Sequence, residues 1–202
     1  GGFSAGDEPD GSGKYITSVL MNERIRESVE GLLERNGLIL GICNGFQALI
    51  KSGLLPYGKF NQVTEDSPTL VKNDINRQLS KIVRTRIASN KSPWLSQTEV
   101  GAIHNVAISH GEGKFVANDK MIKQLIENGQ IATQYVDLNN QATMDGIYNP
   151  NGSIMAIEGI TSPDGRILGK MGHSERMGDQ IFKNVPGDYD QLIFESGVKY
   201  FK

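Results

Sequence analysis

Cysteine occurs once in these 202 residues, which excludes an internal disulfide framework and any cysteine-rich zinc site. Charge of one sign is not in excess either. The 21 Lys and Arg stand against 23 Asp and Glu, a net charge of −2, so the basic footprint of a nucleic-acid binder is missing. Long apolar runs are also lacking: the longest, Leu38 to Cys43, is interrupted by Gly41 and is far too short to span a bilayer. No basic-then-apolar leader precedes it. These absences together predict a soluble protein of the reducing cytoplasm, with neither a nucleic acid nor a membrane as partner.

What is present suits a packed α/β domain. With 38% hydrophobic and 22% charged residues the chain has material for a core without staples, and residues 1–202 read as one domain. The chain opens Gly1-Gly2-Phe3-Ser4-Ala5-Gly6-Asp7, a glycine-rich turn with no strand or helix before it, as expected of a fragment of a larger polypeptide. Residues 1–13 read as loop. From Tyr15 to Asn36 apolar residues recur at helical spacing with a break near Asn22, and Gly37 is expected to supply the left-handed stop. Leu38 to Ile42 reads as a buried parallel strand, and Phe46 to Ser52 as a helix closed by Gly53. Residues 59–99 are polar and weakly periodic, with possible strands at Gln62-Val63 and Ile82 to Ile87, and no chemistry is assigned there. Short strands are expected at Val106 to Ile108, Phe115-Val116 and Ile131 to Tyr135, and a helix over Asp119 to Asn128. Ile154 to Ile160 and Arg166 to Met171 flank Ser162-Pro163-Asp164-Gly165, the signature of a hairpin.

The chemistry gathers around the single thiol. Gly41-Ile42-Cys43-Asn44-Gly45 has the form G-x-C-x-G, the thiol counterpart of the nucleophile elbow. Such a turn takes up strained backbone angles, so side chains two positions away on either side are expected to collide. It also sets sulfur at a helix N-terminus, where the partial positive charge favours thiolate. The plain alternative, a small buried hydrophobe, fits a lone cysteine but not the flanking glycines. A nucleophilic thiol needs a base and the base an orienting group. Among three histidines, His104 reads as structural. His110, in a glycine-rich turn, either lines a pocket or lies on the surface. His173, 130 positions after Cys43, has Glu175 two residues on, which in an extended segment shares its face and can hold the imidazole tautomer.

Other signatures fail. Lys14 lacks the upstream glycine of a phosphate loop, and Ala142 occupies the position where a calcium loop from Asp137 needs glycine. The sequons at Asn90 and Asn151 carry no meaning in a chain that is not secreted, and the histidines are too scattered for a metal site, so none is expected.

Gly41 to Gln47, with His173-Ser174-Glu175-Arg176, resembles the class I, triad-type glutamine amidotransferases. Further segments narrow the likeness: Gly1 to Asp7, Ala107 to Gly113, Ile157 to Ile160, and Ser162 to Arg166 look like the glutaminase domain of phosphoribosylformylglycinamidine synthase, over Gly1 to about Phe182. Ser174 is similar to the large single-chain form, where the small separate subunit has proline. The resemblance implies a flavodoxin-like three-layer α/β fold, its mostly parallel central sheet carrying added antiparallel hairpins, with the first strands missing ahead of Gly1. It implies Cys43 as nucleophile, His173 as base and then acid, and Glu175 as orienter. It further implies an oxyanion hole from the backbone of Asn44 and the Gly1-Gly2 turn, and glutamine binding by Gln47, Ser109 and His110. No cofactor is implied for this chain. ATP and magnesium belong to a synthetase region of the same polypeptide, which takes the ammonia through a dry passage. Gly1 as a free amino terminus beside the chemistry departs from the family pattern, and low or no activity is expected of the chain by itself. Two other readings stand beside this one: a cysteine hydrolase of peptides or small esters, and an inactive glutaminase-like module kept for docking.

Overall fold

Ile167 and Leu168, neighbours on one strand, bury their side chains in two different cores, and that alternation sets the layers of the molecule. The computed structural model describes residues 1–7, 11–178 and 180–202, so residues 8–10 of the expected opening loop lie outside the described residues. In chain order come α1 (Lys14–Leu20), α2 (Glu23–Glu34), β1 (Ile39–Ile42), α3 (Asn44–Lys51) and a short α4 (Leu54–Tyr57). Then follow β2 (Thr69–Lys72), β3 (Leu79–Ile87), β4 (Ile103–His110), β5 (Glu112–Val116) and α5 (Asp119–Glu127). The chain continues through β6 (Ile131–Tyr135), β7 (Ile157–Thr161), β8 (Ile167–Lys170) and α6 (Ile193–Tyr200).

Among the described residues six strands form one sheet in the order β1-β8-β7-β6-β3-β4, while β2 and β5 make a separate antiparallel pair. One face of the large sheet packs Ile157, Ile160 and Ile167 against Phe46, Leu49 and Leu55 of α3 and α4 and Leu125 of α5. The other face packs Ile87, Ala132 and Leu168 against Leu95 and Ile193 of α6. Helices on both faces of a mixed sheet are the α/β class that the sequence predicts. The pairing differs in one respect from a mostly parallel sheet. Strands β1, β8, β6 and β4 point the same way, yet only β1 and β8 are parallel neighbours; the other four pairings are antiparallel. Short connections are one reason. The hairpin at Ser162 to Gly165 closes through the Gly165 N–H on the Ser162 carbonyl at 2.9 Å, and strands joined so tightly must run antiparallel.

The helical stretch from Lys14 breaks at Asn22, the N-cap residue of α2, as its sequence predicts. Its end is built differently: Asn36 takes the left-handed conformation (φ 60°), not Gly37. Glycine is needed at 37 for space, because a Cβ there would lie 2.4 Å from the Leu32 side chain. Gln62-Val63 forms no strand, whereas the expected strand at Ile82 to Ile87 begins earlier, at Leu79. Among the described residues no helix is long and apolar enough to cross a membrane. At Gly111 the chain passes from one sheet to the other. It leaves the large sheet at His110 and joins the two-stranded one at Glu112, opening a cleft between them.

Candidate active site

Cys43 stands between β1 and α3 with φ 52° and ψ −107°, angles that a residue with a side chain seldom adopts. The strain is held from both sides: its N–H donates to the Lys170 carbonyl at 2.8 Å, and its carbonyl accepts the Gln47 N–H at 3.1 Å. Gly41 is required sterically, since a Cβ there would lie 2.5 Å from Leu49 Cδ1 and 2.8 Å from the Gly45 backbone. Gly45 is not required on that ground, because a Cβ on it would meet nothing within 4 Å. The expected collision on both sides of the thiol therefore holds on one side only. The close approach is that of the residue-41 side chain to the Gly45 backbone.

The thiol is 5% exposed and faces the Ser109 carbonyl at 3.8 Å. Burial pushes its pKa up; the backbone N–H groups of Asn44 and Gly2, both hydrogen-bonded to the sulfur, act the other way and do not prevail. The sequence-based expectation of a lowered thiol pKa is thus corrected: removal from water outweighs the helix terminus here. The resting sulfur is a thiol that needs a base when it reacts.

His173 follows the end of β8, its N–H donating to the Ala107 carbonyl on β4 at 2.8 Å. Its Nδ1 lies 2.6 Å from Glu175 Oε1, and its buried Nε2 has no hydrogen-bond partner among the described residues. A neutral imidazole with its proton on Nδ1 donates to the carboxylate and leaves Nε2 free to accept a proton. Histidine and cysteine are close. The point where a Cβ on Gly1 would sit is 3.2 Å from His173 Cε1 and 3.4 Å from Cys43 Cβ. Burial lowers the His173 pKa against the opposing pull of Glu175. Burial raises that of Glu175, but its hydrogen bond from His173 and other favourable contacts leave it below the usual carboxylate range.

The turn that brings Gly2 to the sulfur is pinned from below. Asn44 Nδ2 donates to the Gly2 carbonyl at 2.5 Å and to Asp7 Oδ2 at 3.0 Å. Buried Asp7 also accepts the Ser4 N–H, the Ser4 hydroxyl and the N–H of Tyr15 in the first turn of α1. Burial alone would raise the Asp7 pKa, yet these hydrogen bonds hold it below its ordinary value. Gly1 packs closely beside the elbow without lining the cavity: a Cβ on it would lie 2.8 Å from the Ile42 carbonyl.

A cavity of about 480 Å³ opens on this group, lined by Gly2, Cys43, Asn44, Gln47, Ser109, His110 and His173 among others. Glu175 stays outside it, behind the imidazole. Gln47 is 3% exposed, and its amide donates to the Glu112 carbonyl at 2.5 Å, fixing the first residue of β5. The Ser109 hydroxyl is shared with Ser80 and Gln78 across the sheet. His110 is buried, its Nε2 3.3 Å from Asn151 Nδ2, and burial with the nearby His173 pushes its pKa down to about 4. His104 lies away from the cavity, 3.7 Å from Asp188, and burial lowers its pKa too. Sequence reasoning missed Lys72, Arg77, Gln78 and Arg176, which also line the cavity. Residues 72–78 carry no periodic signal and no motif that would mark them. Arg176 could have been found from its place beside His173 and Glu175.

Comparison with solved structures aligns the entire chain with "PurLQS" from Thermotoga maritima, at a TM-score of 0.73 and 28% identity, covering 77% of that chain. A glutamine amidotransferase, also from Thermotoga maritima, aligns over 74% of this chain and 45% of its own, at a TM-score of 0.41 and 14% identity. The family model described as the CobB/CobQ-like glutamine amidotransferase domain matches residues 1–201. Over that length, and with the strained cysteine elbow already found, the chain belongs to the CobB/CobQ-like glutamine amidotransferase domain family.

Proposed function

We propose that residues 1–202 form a glutaminase domain that hydrolyses glutamine through Cys43, His173 and Glu175. Its ammonia supplies an ATP-dependent synthetase region that converts formylglycinamide ribonucleotide to the amidine, in purine biosynthesis. The observation that carries the reading is the imidazole: Nδ1 is engaged by a carboxylate while Nε2 is buried and, among the described residues, without a partner, on a ring close to a thiol on a strained turn. In this mechanism Nε2 takes the thiol proton as sulfur attacks the side-chain amide of glutamine. The N–H groups of Asn44 and Gly2, which hydrogen-bond the sulfur at rest, stabilise the oxyanion. His173 then protonates the departing ammonia, leaving a glutamyl thioester, and activates the water that cleaves it. Cysteine and histidine start neutral, so proton transfer accompanies attack. Lys72, Arg77 and Arg176 outnumber Glu112 among the charged residues lining the cavity, a balance suited to the amino acid's carboxylate, and Gln47, Ser109 and His110 form the wall beside it. ATP and magnesium act in the synthetase region and have no part in these steps.

The narrower identification rests on the opening glycine turn, the Ser109-His110 loop and the likeness to PurLQS. The test is Cys43→Ala in the complete protein. Glutamine-dependent amidine synthesis should vanish while synthesis from added ammonium persists, and a glutamine-mimicking diazo-ketone should label the parent at Cys43 alone. Loss of both syntheses would sink the two-site reading. Turnover of peptides in place of glutamine would make the chain a general cysteine hydrolase.

A further inference from the structure

Glu158 on β7 and Lys170 on β8 are completely buried, their Oε1 and Nζ 3.3 Å apart, and neither has a part in the steps above. A buried ion pair is a weak source of stability. Desolvation opposes the mutual attraction, and an apolar pair of similar volume often serves as well or better. Apart from one bond to Thr133 on β6, the remaining hydrogen bonds of this pair reach one place, the loop that carries His173. Glu158 Oε1 accepts the Gly172 N–H at 2.5 Å, and Oε2 accepts the Thr133 hydroxyl. Lys170 Nζ donates to the Gly172 carbonyl at 3.0 Å and to Ser174 Oγ at 2.9 Å. The Ser174 hydroxyl in turn donates to Gln191 Oε1 at 2.6 Å. The backbone before His173 and the side chain after it are therefore tied to the same two charges. There is no slack at Gly172, where a Cβ would lie 2.8 Å from Glu158 Oε1 and 2.7 Å from Val106 Cγ2.

We propose that the Lys170–Glu158 pair is a positioning element that fixes the chain on both sides of His173 and so aims its free Nε2 at the Cys43 thiol. The proposal rests on the glutamine-hydrolysis reading for its consequence but not for its geometry. Its test is the double variant Lys170→Met/Glu158→Gln in the complete protein, which removes both charges without leaving one unpaired. Two readouts are taken: kcat and KM for glutamine, and the pH dependence of Cys43 alkylation by iodoacetamide. A shift of the imidazole should lower kcat by about ten-fold or more with KM little changed, since an ångström of misplacement can cost that much. The alkylation midpoint should also move to higher pH, because the thiol loses its base. A folded double variant with parental kcat and a parental alkylation profile overturns the proposal. If the double variant does not fold, Ser174→Ala, which deletes only the hydroxyl held by Lys170, decides by the same readouts. A lower kcat and a raised alkylation midpoint at an unchanged melting temperature support the proposal, and parental values overturn it. Alkylation needs no glutamine, so a parent protein that alkylates as expected but leaves glutamine intact tells against the functional reading and not against the ion pair.

Discussion

A carboxylate 2.6 Å from an imidazole has two measurable effects, one on orientation and one on charge. Glu175 raises the His173 pKa, although burial leaves it below the ordinary histidine value near 6.5. The acid limb of kcat/KM, which reports the free enzyme's base, is therefore expected below pH 6.5. In Glu175→Gln the raising contribution is gone, so that limb should move to still lower pH while kcat falls, by about 10²- to 10⁴-fold on the precedent of other orienting carboxylates. A limb that moves upward would show that Glu175 acts otherwise. Asp7 works at one remove, since its hydrogen bonds hold Asn44 and the Ser4 turn beneath the Gly2 N–H. Asp7→Ala should lower kcat toward the loss of one oxyanion donor, about 10²- to 10³-fold at the limit, with KM for glutamine little changed. An unchanged kcat would show that the turn orders itself without the carboxylate.

At the scale of the element, the cysteine turn depends on how closely β1 and α3 approach. The two glycines of the motif look equivalent in sequence and differ in space. Gly41→Ala forces a Cβ against Leu49 and the Gly45 backbone and should destabilise the protein by roughly 1–3 kcal/mol, as overpacking does. Gly45→Ala places its Cβ in open space within a helix and should be neutral or stabilising by up to about 1 kcal/mol. Urea denaturation of the two variants checks the contrast, and equal losses would refute it. The helices from Lys14 to Glu34 and from Asp119 to Glu127 were legible because their apolar stripes repeat with helical period. The strand at Thr69–Lys72 was not, because it buries a single residue, Leu70, and so has no alternation to read.

Taken whole, the molecule joins parts far apart in the chain around one cavity: the opening turn, the β1–α3 elbow, the 72–78 segment, the β4–β5 break and the loop after β8. A ligand that bridges such parts stabilises the folded state by mass action. Cys43→Ala, which cannot form the thioester, should therefore gain about 2.7 kcal/mol from glutamine at one hundred times its Kd, seen as a rise in melting temperature. Absence of any rise at saturating glutamine would remove glutamine as the occupant of the cavity.

The helices from Lys14 to Glu34 and from Asp119 to Glu127, the cysteine between strand and helix, and the pairing of His173 with Glu175 were legible in sequence alone. Each depends on neighbours within a few residues, through side-chain periodicity or the shared face of positions i and i+2. Only the tertiary structure decided that the thiol pKa rises, that Asn36 and not Gly37 turns left-handed, and that four of the five pairings in the large sheet are antiparallel. It alone brought Lys72 and Arg77 to the cavity and buried Lys170 against Glu158 behind the histidine. For the thiol pKa, the cavity lining and the buried ion pair the physical reason is the same. Burial and electrostatics depend on which distant residues remove a group from water, and no local pattern in a sequence records that.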